Sequence, residues 1–174
     1  MKRIGNRHGP ALAAVALLVS AVPASAQQVA TATFDITMTI QSACSVTAGA
    51  GSDITLGAVP SSATNTTGNS DITVNCSNTT PYYIGLEPSN ADTSGAGELG
   101  GTGANTDTVP YQLSSTAGPS GTVWGNTATS SSVGNGVAGT GNGSDQTLTV
   151  YVTVPSANFT PDSYSDTVTV NVNY

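Results

Sequence analysis

Few side chains in this sequence can do chemistry, and their placement restricts them further. The basic residues Lys2, Arg3 and Arg7 and the only histidine, His8, all lie within the first eight positions, whereas all ten acidic residues lie beyond position 26. From residue 27 onward there is no imidazole or amine to act as a base, so Ser–His–Asp, Ser–Lys and Cys–His arrangements cannot be built there. Paired carboxylates can hydrolyse glycosides. Asp162 and Asp166 are close in sequence, but their setting reads as a turn beside a strand. The expectation is a protein that is not an enzyme and needs no cofactor. Asp92, Glu98, Asp107 and Asp145 sit in glycine-rich stretches, the oxygen-rich kind of loop that calcium favours. Without a twelve-residue acidic loop or a nonapeptide repeat, they read as solvated loop carboxylates, and no metal site is assigned. Tyr82, Tyr83, Tyr151 and Trp124 offer a sugar-binding platform on paper, although aromatics in strands more often belong to a core or a sheet face.

The elements that must position these groups begin with a leader. Lys2, Arg3 and Arg7 precede an apolar run from Ala11 to Val22, broken only by Ser20, and then Pro23-Ala24-Ser25-Ala26. This is the layout of a secretory signal peptide, residues 1–26, cleaved after Ala26. The apolar run is short for a resident membrane helix. Residues 27–174 are one domain's worth of chain. With no basic side chain they cannot neutralise phosphates, so nucleic acid and anionic membrane surfaces are poor partners. Cys44 and Cys76 are the only cysteines. Two thiols without a histidine cannot fill a zinc shell. In an exported chain an even pair reads as one disulfide rather than two free thiols, worth about 3–4 kcal/mol through loop closure.

No stretch beyond residue 26 keeps a helical period, and several alternate with period two, the strand signal. Phe34, Ile36, Met38 and Ile40 alternate with Asp35, Thr37 and Thr39. Ile72, Val74 and Cys76 alternate with polar residues, as do Leu148, Val150, Val152 and Val154, and as do Tyr164, Val168, Val170, Val172 and Tyr174. Shorter candidates are Ile54–Leu56, Tyr82–Leu86, Tyr111–Leu113 and Thr122–Trp124; the longest Gly/Ser/Thr/Asn-rich stretches, Ser89–Thr108 and Asn126–Gln146, read as loops. One apolar and one polar face per strand predicts antiparallel sheets stacked as a sandwich.

The two ends of the chain belong together. A last strand over Tyr164–Tyr174 with nothing after it leaves an apolar groove and an unpaired edge, which invite another chain. An alternating N-terminal segment suits such an edge as an added strand. On pattern alone, an edge strand of its own domain is the other reading of Phe34–Ile40.

The motifs Phe34–Val46, Ile72–Ser77 with Pro81–Leu86, Pro110–Leu113, Val123–Gly125, Leu148–Pro155 and Tyr164–Tyr174, in that order and spacing, resemble the spore coat protein U domain family, which includes subunits of archaic chaperone–usher pili. Leu56-Gly57 stands where the family has Phe-Gly, and Pro161-Asp162-Ser163 where it often has a glycine. The resemblance implies an all-β fold, an incomplete immunoglobulin-like β-sandwich with an N-terminal donor strand. It implies three parts: residues 1–26 as signal peptide, 27–41 as donor segment and 42–174 as the domain. The donor side chains would be Phe34, Ile36, Met38 and Ile40, and the disulfide Cys44–Cys76. The implied partners are identical or related pilus subunits, a periplasmic chaperone and an outer-membrane usher, with export through the periplasm to a surface fibre that serves adhesion or biofilm formation. A self-contained secreted domain binding carbohydrate or calcium, or a protective coat protein, is the alternative.

Overall fold

A computed structural model describes residues 27–174, so the expected signal peptide lies outside the described residues. The chain divides into two units, one ending at Met38 and one running from Thr39 to Tyr174. The second carries all the strands: β1 (Cys44–Thr47), β2 (Thr64–Cys76), β3 (Pro81–Pro88), β4 (Ala96–Gly101), β5 (Thr108–Ser114), β6 (Val137–Thr140), β7 (Asp145–Ser156), β8 (Tyr164–Ser165) and β9 (Val168–Asn173). The described residues contain no helix.

The strands form a six-stranded sheet in the order β1-β2-β7-β5-β4-β8 and a three-stranded sheet in the order β6-β3-β9, with every pairing antiparallel. The alternation foreseen in β2 and β7 sends Ile72, Val74, Val150, Val152 and Val154 inward from the large sheet, where they meet Tyr82, Ile84 and Leu86 of β3. The sheets are therefore stacked on their apolar faces, as expected for a sandwich. Trp124 fills the centre, 1% exposed, and its indole N–H donates to the Ile84 carbonyl at 2.8 Å. Buried indoles need such a partner.

Three sequence expectations fail here, each for a physical reason. The stretches read as loops, Ser89–Thr108 and Asn126–Gln146, contain β4 and β6. Their glycines serve packing rather than turns. Gly97 pairs with Tyr111 and Gly139 with Tyr82, and a Cβ at either glycine would collide with the opposing ring. The glycines are there to admit the tyrosines, a known way of placing glycine in a strand. The long terminal strand is split. Tyr164–Ser165 pairs with β4 in the large sheet and Val168–Asn173 pairs with β3 in the small one. Asp166 holds the crossing point, accepting the Tyr111 hydroxyl at 2.6 Å and the Thr167 amide at 2.7 Å. Trp124 and Tyr82 are core residues, the placement favoured for aromatics in strands, and the third failure is the strand expected at Thr122–Trp124. Thr122–Trp124 contributes only a single bridge, Ser114↔Val123.

Candidate functional site

The site is the line along which the two sheets fail to close. At one margin stands β9, an edge strand of the small sheet. The direction of its peptide groups follows from β3. The Leu86 amide donates to the Gly125 carbonyl and the Ile84 carbonyl accepts from Trp124, both outside the β3–β9 ladder. Ile84 and Leu86 stand opposite Val172 and Val170. Backbone groups alternate along an antiparallel ladder, so Thr169, Asn171 and Asn173 bond to β3. Val168, Val170 and Val172 turn their N–H and C=O groups to the free edge. The same three valines pack against the core, so one row of residues supplies both an apolar wall and a set of open hydrogen-bonding groups.

The other margin is the connection between β1 and β2. Ser52, Ile54 and Leu56 are half-buried and alternate with exposed residues, which is a strand-like pattern. Yet the backbone of Asp53–Val59 makes no backbone hydrogen bond among the described residues. Ile54 and Leu56 sit over Gly68 of β2, where an added Cβ would come within 2.8 Å of both side chains. The expectation of a strand at Ile54–Leu56 is thus met in side-chain packing and not in pairing.

Between these margins lies a cavity of about 390 Å³ whose floor is Ile72, Leu113, Val150 and Val152 of the large sheet and Leu86 of the small one. A second cavity of about 940 Å³, reaching Phe159 and Tyr164, shares Asp53, Ile54, Leu56, Leu99 and Asp166 with the first. The two form one groove that opens onto the core. The floor of the smaller cavity is apolar, whereas the larger one is also lined by Thr160, Asp162, Ser163 and Ser165. Tyr111 donates to Asp166 there, and burial, followed by that hydrogen bond and the Asp166 charge, pushes the phenol far above its ordinary value. The phenol stays protonated and is a fixed donor, not a reactive group.

The residues read as a donor strand are described by themselves. Residues 27–43 adopt no regular secondary structure, and Phe34, Ile36, Met38 and Ile40 are 85%, 86%, 81% and 79% exposed. No strand is formed over Phe34–Ile40. Four large apolar side chains exposed in one alternating run is unusual, since soluble proteins seldom leave contiguous apolar surface uncovered. Cys44 and Cys76 form a disulfide and face each other in the β1–β2 register.

Of the carboxylates considered for calcium, Glu98 is an exposed residue of β4 and the other three are held in hydrogen bonds. Asp92 accepts from Ser94 and Ala96, Asp107 from Thr160, and Asp145 from Asn75. Asp162 takes hydrogen bonds from Thr102, Asn105 and Ser163, which hold its carboxyl well below the usual range. Among the described residues, no three metal-ligating side chains converge.

Residues 30–171 match the family model described as the Spore Coat Protein U domain. The chain belongs to that family. As a spore coat protein U domain it has no match among curated proteins. A solved structure similar to it is the chaperone–tip adhesion subunit pre-assembly complex from archaic chaperone–usher Csu pili of Acinetobacter baumannii, with 19% identity and a TM-score of 0.49. That likeness covers 78% of this chain and 41% of the solved one.

Proposed function

We propose that this spore coat protein U domain is a structural subunit of a secreted surface fibre of the archaic chaperone–usher type, assembled by donor-strand exchange. Residues 27–41 of one copy enter the groove of the next. Phe34, Ile36, Met38 and Ile40 fill the apolar floor, and the backbone pairs with the outward groups of Val168, Val170 and Val172. Before assembly a periplasmic chaperone lends a strand to the same groove, and an outer-membrane usher exchanges it for the neighbour's. The chain travels through the periplasm to the cell surface, where the fibre supports adhesion or biofilm formation. No catalysis takes part: strand addition is driven by apolar burial and main-chain hydrogen bonds.

One observation carries this reading. A groove open to the core has an unpaired edge along it, and the same chain exposes an alternating apolar segment of strand length. Either feature alone would be a liability; together they are complementary. The test is deletion of residues 27–40. The shortened protein should lose the power to polymerise and still bind a chaperone. A mature chain of residues 27–174 that stays a heat-stable monomer with no partner contradicts the reading.

A further inference from the structure

Tension in such a fibre enters each subunit just ahead of Cys44, and there the fold has a weak element beside a strong one. β1 is four residues long, lies at the sheet margin and pairs only with β2. After Thr47 the chain runs irregularly to Ala63. Its backbone bonds over this stretch are local, Ser52 to Gly49 and Ala63 to Pro60, until the Ala63 carbonyl accepts from Ala157. β2, by contrast, is thirteen residues long and is paired with β7 from Thr64↔Ser156 to Asn75↔Asp145.

The disulfide joins the first residue of β1 to the last residue of β2. Around it, the Ala43 amide donates to Ser77 Oγ at 3.0 Å and the Ser77 amide donates to the Ala43 carbonyl at 2.9 Å. Two load paths are then possible. Without the bond, force peels β1, straightens residues 48–63 and reaches β2 at Thr64. With it, force passes from Cys44 straight into Cys76, at the end of the strand most firmly held by its neighbours, and residues 45–63 lie inside the closed loop, off that path.

We propose that the Cys44–Cys76 disulfide is a mechanical bridge, delivering tension from the N-terminal segment directly into β2 and shielding β1 and the groove margin Asp53–Val59 from it. The inference rests on the donor-strand reading, because only a segment anchored in a neighbour is put under tension. Its consequence is that a stretched fibre keeps its acceptor groove intact. The margin that flanks the inserted strand is the part that would otherwise be pulled straight.

The test stretches single mature chains between a handle at residue 27 and one at the exposed Asn142, between β6 and β7. The disulfide is intact, reduced, or removed as Cys44→Ser/Cys76→Ser. The intact chain should rupture without an early step. The reduced and serine forms should first release, at lower force, about 70 Å of chain contour, the span of about 20 residues at roughly 3.3–3.6 Å each. Identical first ruptures with and without the bond overturn the proposal, as does an early 70 Å step in the intact chain. If neither altered form keeps Trp124 buried by its emission, the bond is only a folding staple and the proposal fails. Stretching needs no neighbour, whereas binding of a free 31–40 peptide does. Loss of peptide binding alone therefore points to the donor-strand reading rather than to the bridge.

Discussion

Replacing Ile36 by alanine in a free peptide of residues 27–41 isolates one donor side chain. Ile36 is 86% exposed in the chain, so nearly all its surface is available for burial. Full burial of such a side chain is worth about 1.5–3 kcal/mol; scaled to the exposed share, the substitution removes about 1.3–2.6 kcal/mol. At about 1.4 kcal/mol per factor of ten, binding to the mature protein should weaken ~10- to 80-fold. In the proposed inserted strand Thr37 would lie on the opposite face, so Thr37→Ala should change binding by less than about twofold. Titration calorimetry with the parent and the two variant peptides measures all three affinities against one groove. Equal affinities for the Ile36→Ala and Thr37→Ala peptides, or a larger loss for Thr37→Ala, would refute the alternating assignment. It would mean that the segment does not present its even-numbered residues to the core.

Other consequences are as specific. Val170→Pro removes an outward amide without touching the β3 ladder, and proline is accepted at sheet edges. It should weaken peptide binding while leaving the melting temperature nearly unchanged, whereas Asn171→Pro should lower the melting temperature sharply. Trp124→Phe removes the buried indole N–H that donates to the Ile84 carbonyl and should cost about 0.5–1.5 kcal/mol in urea unfolding. Hydrogen bonds hold Asp162 and Asp107 below the usual carboxylate range. Their stabilisation is complete above the unfolded value near 4 and is lost as pH falls through the lower folded values. Thermal scans should show no loss attributable to these groups from neutral pH to about 5, and the acid loss below 4 should shrink in Asp162→Asn. A variant with an unchanged acid profile would assign the loss to other carboxylates.

The strands carried by side-chain alternation were legible in the sequence. Ile72–Cys76, Tyr82–Leu86, Tyr111–Leu113 and Leu148–Val154 all fall inside observed strands, because each buries one face and alternation is the direct record of that burial. β4 and β6 were not legible. Their residues are small, and what makes them strands is the tyrosine lying over Gly97 or Gly139 from the next strand, a contact between distant residues that leaves no local pattern. The split of the terminal strand was hidden for a related reason. Asp166 read as a turn residue beside a strand and interrupts the even-numbered apolar row, but only its bond to Tyr111, distant in sequence, marks the crossing between sheets. Of the groove, the valines of β9 could be read in advance. The second margin, Asp53–Val59, could not: its packing signal is two residues, Ile54 and Leu56, and its lack of backbone partners is a property of the fold alone.

In the proposed assembly, subunit joining turns on the unpaired β9 edge, which amide hydrogen exchange observes directly. In the isolated protein the amides of Val168, Val170 and Val172 should exchange rapidly while those of Thr169, Asn171 and Asn173 are protected by β3. On assembly with a second copy, or on adding the 27–41 peptide, the three valine amides should become protected together. Valine amides already slow in the isolated protein, or unchanged in the assembled fibre, would show that no neighbouring strand pairs there.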